Sequence, residues 1–471
     1  MTSPFTLFEI SFEVCNKVGG IHTVLTSKAR TLVSRMGDDY IAIGPWLLSN
    51  TDREVPFDPD PAFAPFEESC RRMGIPVRVG RWRIPSSPRT ILVEFSGLYD
   101  QKDDILAELW EDFEVDSISG DWDYVEPVLF GHAAGRVIER WWEEHLAPFG
   151  KSVVVQSHEW MTGASLLYLE NHVPAVARVF TTHATMLGRA LASIGISSGE
   201  QLAEELAHES SDSLAETHGV KAKHSLEGIV ARRADVFTTV SEITAVEAEL
   251  LHGRAPDPVT PNGIDIEVID ELAGSAPRDE VRAELQRLAA RMLGEDVGDA
   301  LFVATSGRYE FHNKGFDVLL EALAEVNEHD GRRVVCFFLA PAGNTGVRSE
   351  YLERLRQEDT NFDGPLGIST HNLFDPESDP IQRACADLGL QNAPGSRVKV
   401  IQIPIYLSPE DDLLHRPYEA VLRAMDATLF PSYYEPWGYT PQESLALGVP
   451  TVTTDYAGFG RWALAEGLGT A

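Results

Sequence analysis

Two glutamates, Glu435 and Glu443, stand eight residues apart in the stretch PSYYEPWGYTPQES (431–444), separated by a Pro-Trp-Gly turn. The short apolar run at 427–432 reads as a buried parallel strand, so Glu435 is expected at a strand's carboxyl end, where open α/β sheets bind ligands. Thr440, Pro441 and Glu443 fall at the N-cap, N1 and N3 positions of a predicted helix that stops at Gly448. A helix start facing a strand-end crevice suits an anion. Glu443 also has a structural reading, as the acidic member of a Thr-Pro-Gln-Glu capping box. Glu435, on a tight turn beside Trp437 and Gly438, has no capping task.

A second group lies in GRYEFHNKG (307–315). Arg308 and Lys314 sit on a predicted loop at a strand's carboxyl end, where both can converge on one anion, the arginine as a planar fork and the lysine as a point charge. Their alternative partners are Glu310 and Asp317. Near the start, Lys17 precedes Gly19 and Gly20 between a strand and a helix, which is a phosphate-loop arrangement in outline and also the make-up of an ordinary βα turn. His183 ends the run Thr-Thr-His-Ala-Thr (181–185), with Gly188 and Arg189 just beyond. It could hydrogen-bond a sugar hydroxyl, act as a base, or be a satisfied core histidine.

His158-Glu159-Trp160 is not a zinc motif, because Thr162 stands where HExxH needs histidine. Asp121-Trp122-Asp123 matches a metal-binding DxD triplet of a kind that any acidic chain produces by chance. The other histidines are scattered in the sequence, so no metal and no cofactor is expected. No Walker A pattern and no GxSxG elbow is present.

Elements to carry these residues follow from the pattern. Alternation at Phe8, Ile10, Phe12 and Val14 predicts a first strand, and apolar runs at 40–43, 90–95, 153–156, 179–182 and 236–240 predict others. Helical periods at 127–144 and 241–251 intervene, which is the order of a helix-covered, mostly parallel sheet. Residues 77–84 and 90–95 predict a hairpin, and Thr260-Pro261-Asn262-Gly263 marks the end of the first domain. Residues 265–297 are helical in period with no strand among them and suit a connector. A second sheet is predicted from 301–305, 334–340, 398–403, 428–431 and 451–454. Two Rossmann-like sheets in one chain imply a cleft.

The 471 residues suffice for two or three domains, and 43% of them are hydrophobic, as full cores require. The formal net charge is -34. Such a chain repels phosphate backbones, so nucleic acid is excluded as a general partner, and a high-salt surroundings would suit it. No run of about eighteen apolar residues and no basic-then-apolar leader is found, so no membrane partner is expected. Four separated cysteines without a CxxC pair suit a reduced, cytoplasmic setting.

Taken in order, FEVCNKVGGIHTVL, FTTHATMLGR, FTTVSEITAVEAELL, TPNGID, GRYEFHNKG and PSYYEPWGYTPQES resemble the eukaryotic-type glycogen synthases. The resemblance implies an α/β fold of the GT-B type, with two Rossmann-like doubly wound domains facing a central cleft. Its divisions would be an acceptor-side domain at 1–265, a helical connector at 266–299 and a nucleotide-sugar-binding domain at 300–471. It implies transfer of glucose from a nucleoside diphosphate glucose, UDP-glucose favoured, to the non-reducing 4-hydroxyl of an α-1,4-glucan with retention. Sucrose or trehalose phosphate synthases and an inactive carbohydrate-binding homologue are the alternatives.

By the same resemblance Arg308 and Lys314 hold the pyrophosphate, Glu435 borders the glucose, and Glu443 binds the ribose within the E-x7-E motif. Lys17, Gly19 and Gly20 lie near the phosphates, His183 and Arg189 in the active cleft, Tyr418 against the nucleobase, and Trp437, Gly438 and Tyr439 in the donor turn. The partners implied are a nucleotide sugar donor and an α-glucan acceptor, with a homo-oligomer left open. Residues 341–371 are shorter than the helical insertion that animal and fungal members use for assembly. Neither phosphorylated tails nor the arginine-rich glucose 6-phosphate helix is found, and family members continue past the equivalent of Ala471, so the second domain is expected to be incomplete.

Overall fold

The computed structural model describes residues 4–47, 55–357 and 364–469. The chain divides into two compact units, 1–264 and 265–471. In the first, β1 (Phe5–Ile10), β2 (Tyr40–Pro45), β3 (Phe57–Pro59), β4 (Val77–Trp82), β5 (Arg89–Val93), β6 (Ser152–His158), β7 (Ala177–Thr182) and β8 (Val236–Thr239) form one sheet. Its order is β3-β4-β5-β2-β1-β6-β7-β8. β5, β2, β1, β6, β7 and β8 run parallel, while the β4–β5 pair is the antiparallel hairpin read from the sequence, with β3 antiparallel beyond it. After β1 the chain adds strands on one side and then crosses to β6 on the other. The carboxyl ends of β1 and β6 are therefore the switch point where such sheets bind ligands.

The first strand is shorter than its alternation predicts. It ends at Ile10, because Ser11 turns the chain: its hydroxyl accepts the Glu13 N–H at 3.1 Å and its carbonyl accepts the Val14 N–H at 3.3 Å. Five of its six residues are buried, Glu9 included, as befits a central parallel strand covered on both faces. The helix Gly20–Met36 follows.

The second unit's main sheet contains β9 (Leu301–Ser306), β10 (Val334–Leu339), β13 (Val398–Gln402), β14 (Ala427–Phe430) and β15 (Thr451–Thr453). All pairings are parallel, in the order β13-β10-β9-β14-β15. A two-stranded ribbon of β11 (Asn344–Val347) and β12 (His371–Leu373) stands apart from it. Along β10, Val335, Phe337 and Leu339 enter one core, and Val334, Cys336 and Phe338 the other, so both faces are covered. The helix Arg278–Leu293 supplies Val281, Leu285, Leu288, Ala289 and Met292 to the first of these cores. The segment read as a connector thus belongs to the second unit, its apolar face buried under the sheet.

Strand order changes direction at β9 and β14, so their carboxyl ends form a second switch point. The loop after β9 is pinned to the segment after β14 by Gly315, which has φ +66°; a Cβ there would lie 1.8 Å from the Pro431 carbonyl oxygen. Gly315→Ala should therefore lower stability by more than about 3 kcal/mol, combining left-handed strain with a backbone collision. Gly150→Ala, at a similar φ of +63° with open space around it, should cost only about 1 kcal/mol. Denaturant melts of the two variants would test this, and equal losses would show that the approach to Pro431 does not constrain the loop.

Candidate active site

In the second unit the β9 loop and the segment after β14 meet at several points. The Asn313 carbonyl accepts the Tyr433 N–H at 3.0 Å, and the rings of His312 and Tyr433 stack with centroids 4.2 Å apart. Lys314 then forms an ion pair with Glu435, both side chains being largely buried. Arg308 is half exposed and pairs with Glu310 at 3.0 Å, while Asp317 pairs with His312 at 2.7 Å. Of the two cations read from the sequence, Lys314 is thus bonded to the first glutamate of the E-x7-E pair, and Arg308 takes the local partner that was its alternative.

Glu435 is held by a strand-like bridge: its N–H donates to the Tyr456 carbonyl at 3.2 Å and its carbonyl accepts the Gly458 N–H at 2.9 Å. Trp437 is buried against Phe459 and Trp462, and its Nε1 donates to Gln442 Oε1 at 2.9 Å. Its ring thus braces the turn. The helix begins earlier than predicted. It spans Tyr439–Ala446 with Gly438 as N-cap at φ +98° and no side-chain cap. Glycine makes the turn that the capping box was expected to make, so Thr440 and Pro441 lie inside the first turn and Glu443 has no N3 capping position.

Glu443 acts on the Tyr439 hydroxyl, which is buried without a hydrogen-bond partner and whose pKa is raised by burial and by that carboxylate. Tyr418 packs its ring on the unit's core and joins Ser306 at 2.8 Å through its hydroxyl. The Thr428 and Ser444 hydroxyls, 2.5 Å apart, fix the helix beneath β14.

The first unit gathers a buried polar chain at its own switch point. Glu9, on β1, accepts from Tyr40 at 2.5 Å and pairs with Lys28. His158 Nε2 lies 2.7 Å from Glu9, and His158 Nδ1 lies 2.9 Å from His183 Nε2. Burial would push the Glu9 carboxyl up, but Lys28 and His158 outweigh it and hold the pKa down at about 2. Burial lowers the pKa of both histidines, with Lys28 adding to it for His158 and His158 and Lys28 for His183, so both are neutral. An ionised Glu9 needs a donor, so His158 Nε2 carries the proton and its Nδ1 accepts from His183 Nε2–H. His183 is left with Nδ1 as an acceptor, suited to a hydroxyl rather than to proton donation.

The main-chain N–H groups of His183 and Ala184 donate to Glu159 Oε1 at 3.0 and 3.2 Å. Burial and neighbouring Glu227 push the Glu159 carboxyl up against the pull of Arg189. Lys17 is exposed in the loop before Gly19 and Gly20. Two amides of this loop and helix start are engaged: Glu13 Oε2 accepts Gly19 N–H at 2.7 Å and His22 N–H at 3.0 Å. In the DxD triplet, Asp121 is the N-cap residue of the helix Trp122–Trp141 and Asp123 pairs with Lys223, which gives it a structural role.

Glu9, Glu13 and Glu227 escaped the sequence reading. A carboxylate inside an apolar strand was the available signal for Glu9, and its place six residues before Gly19 was the one for Glu13. Nothing local marked Glu227.

The glycogen synthase family model matches residues 9–358 and 361–466. The chain belongs to the glycogen synthase family. It is 33% identical over 516 aligned positions to the liver glycogen [starch] synthase of Rattus norvegicus, covering 96% of this chain and 72% of that one. It is 30% identical to glycogen [starch] synthase isoform 1 of Saccharomyces cerevisiae, covering 97% and 74%. Among solved structures, the catalytic domain of starch synthase IV from Arabidopsis thaliana matches with a TM-score of 0.54 at 15% identity over 98% of this chain and 84% of that one. A trehalose-phosphate synthase from Burkholderia vietnamiensis matches at 0.52 and 12%, over 97% and 86%. These likenesses establish the GT-B fold, and family membership makes the chain a glycogen synthase-type glucosyltransferase with a nucleotide sugar donor and a glycan acceptor. Among the described residues, no helix is long and apolar enough to cross a membrane.

Glu9 stays ionised in the folded chain to about pH 2, against 4.5 for an ordinary glutamate. Its contribution is therefore whole above about pH 4.5 and is lost as pH falls towards 2. Glu9→Gln should destabilise the protein by about 3 kcal/mol at pH 7, as expected for breaking a buried pair. The gap from wild type should narrow in denaturant melts at pH 3.5. A gap that stays constant between the two pH values would show that Glu9 is not held ionised by its neighbours.

Proposed function

We propose that the chain transfers glucose from UDP-glucose to the 4-hydroxyl at an α-1,4-glucan's non-reducing end with retention of configuration. The observation that carries this reading is the meeting of Lys314 and Glu435 at the β9–β14 switch point. Breaking a glycosyl–phosphate bond leaves negative charge on the departing diphosphate and positive charge on the sugar. A diphosphate that takes Lys314 from Glu435 leaves the carboxylate unneutralised beside the sugar, where it stabilises the oxocarbenium-like state. Arg308, exposed on the same loop, swings from Glu310 to the diphosphate as a second cation.

Retaining glycosidases place two carboxylates about 5 Å apart. The reading assigns only Glu435 to the sugar, since Glu443 is taken to bind the ribose. Front-face attack follows, with the leaving phosphate accepting the proton of the acceptor hydroxyl. In the first unit, His183 accepts a sugar hydroxyl's hydrogen bond through Nδ1. Tyr418 stacks on the base, and the likeness to eukaryotic-type members favours uridine. A cytoplasmic setting is inferred from four cysteines that are all buried free thiols.

Competition between UDP-glucose and ADP-glucose, with glycogen or a small sugar phosphate as acceptor, tests the reading; transfer to the sugar phosphate alone would overturn it. Arg308→Ala and Lys314→Ala should each lower kcat by about 10²–10³, because their partner gains charge in the transition state. Glu435→Gln should also act on kcat. Glu443→Gln should instead raise the donor KM by the equivalent of roughly 1–2 kcal/mol, since the ribose does not change during reaction. If both cation variants keep the wild-type kcat, the assignment of the site fails.

A further inference from the structure

Three residues that lie apart in the sequence come together inside the first unit. His224 and Glu227 are three positions apart on the helix Lys221–Arg233 and so share a face. His252 is the last residue of the helix Glu242–His252, which packs against it. His252 Nε2 lies 3.1 Å from Glu227 Oε2, and the two imidazole rings have centroids 5.1 Å apart with planes inclined by 33°. One ligand atom from each residue lies within 4.8 Å of those of the other two, and all three residues are buried.

The cluster is under-satisfied. Glu227 Oε1, His224 Nδ1 and His252 Nδ1 are buried without a hydrogen-bond partner. Three such atoms in one small group call for an explanation, and a bound ion is one of the few that serves them together. The sequence reading expected no metal because the histidines were scattered; the packing of two helices gathers two of them around a glutamate.

We propose that His224, Glu227 and His252 form a binding site for one divalent transition ion of the Zn²⁺ class. Two imidazoles and a carboxylate are a borderline N/O donor set, which suits Zn²⁺ or Co²⁺ and not the all-oxygen preference of Mg²⁺ or Ca²⁺.

The site also has an entrance. A pocket of about 580 Å³ is lined by Asp212, His224, Arg232 and His252 among others. At its rim the exposed Asp212 carboxylate lies 3.8 Å from His224 Nε2, where it can pre-bind a cation or hold the ring. Arg232 is the opposing charge: its Nη1 donates to the His252 carbonyl at 2.9 Å, and its proximity weakens the site. Burial lowers the pKa of both histidines, which favours the neutral form a metal needs, and raises that of Glu227. Glu227 Oε2 also accepts the Met186 N–H at 3.0 Å, so the ion would tie both helices to the segment that carries His183 and Arg189. Its role is structural and does not depend on the donor assignment made above.

The full chain, freed of metal by dialysis against a chelator, should bind one equivalent of Co²⁺ with the intense visible bands of a four- or five-coordinate site. Zn²⁺ should bleach those bands and raise the melting temperature by several degrees. His224→Ala removes one ligand, and Glu227→Gln keeps an acceptor for the Met186 amide. Each should abolish the bands and the Zn²⁺-dependent thermal shift while the metal-free melting temperature stays within a few degrees of wild type. Wild-type protein with only the weak bands of six-coordinate Co²⁺ would overturn the proposal. So would bands that persist unchanged in either folded variant, since the ion would then sit on the acidic surface.

Discussion

The second unit's chemistry depends on one close approach, that of Gly315 to the carbonyl of Pro431. Because no side chain intervenes, the loop after β9 lies directly on the segment after β14, and a lysine and a glutamate 121 positions apart become an ion pair. Such a pair adds little net stability, since desolvation offsets most of its attraction. What it supplies is placement. Two opposite charges are stored beside each other at the point where the proposed reaction separates charge, and neither has to be carried in from water.

The first unit uses the same architecture differently. Around its first strand runs a relay from half-buried Lys28 and buried Tyr40 through Glu9 to His158 and His183. One ionised carboxylate fixes the tautomer of two neutral rings in turn, so a residue on β1 decides which nitrogen of His183 can accept a hydrogen bond. The same region carries a strained position: Glu159 has φ +64° as the N-cap residue of the helix Trp160–His172. That conformation costs on the order of 1–3 kcal/mol. The carboxylate it aims at the His183 and Ala184 amides is the visible return.

In the second sheet β10 and β13 were legible because strands buried on both faces appear as continuous apolar runs with clear ends. The β4–β5 hairpin was legible as two short runs, 77–84 and 90–95, close together in the chain. The end of β1 was not, because hydrophobic alternation continues through Phe12 and Val14 while the backbone is already turning on Ser11. The start of the helix at Tyr439 was misplaced for a related reason: Thr-Pro-Gln-Glu has the chemistry of a cap, but Gly438 had already made the turn. Residues 265–297 showed their helical period and not their destination, since periodicity says which face is apolar and not what covers it. Glu227 and His252 are 25 positions apart on two helices, a distance over which no local pattern carries information.

Glu13 gives the glycine loop a further property. Its carboxylate already solvates the amides of Gly19 and His22, so an arriving anion is exchanging with a tethered resident. The gain from that exchange is only the difference between two sets of hydrogen bonds. Chloride, with no more charge than the carboxylate and nothing to hold it in place, gains nothing by entering. A polyanion with several oxygens and Lys17 beside it would have more to set against the loss of Glu13. In a chain with a net charge of -34, this loop is thereby filtered against simple monovalent anions by a carboxylate of its own.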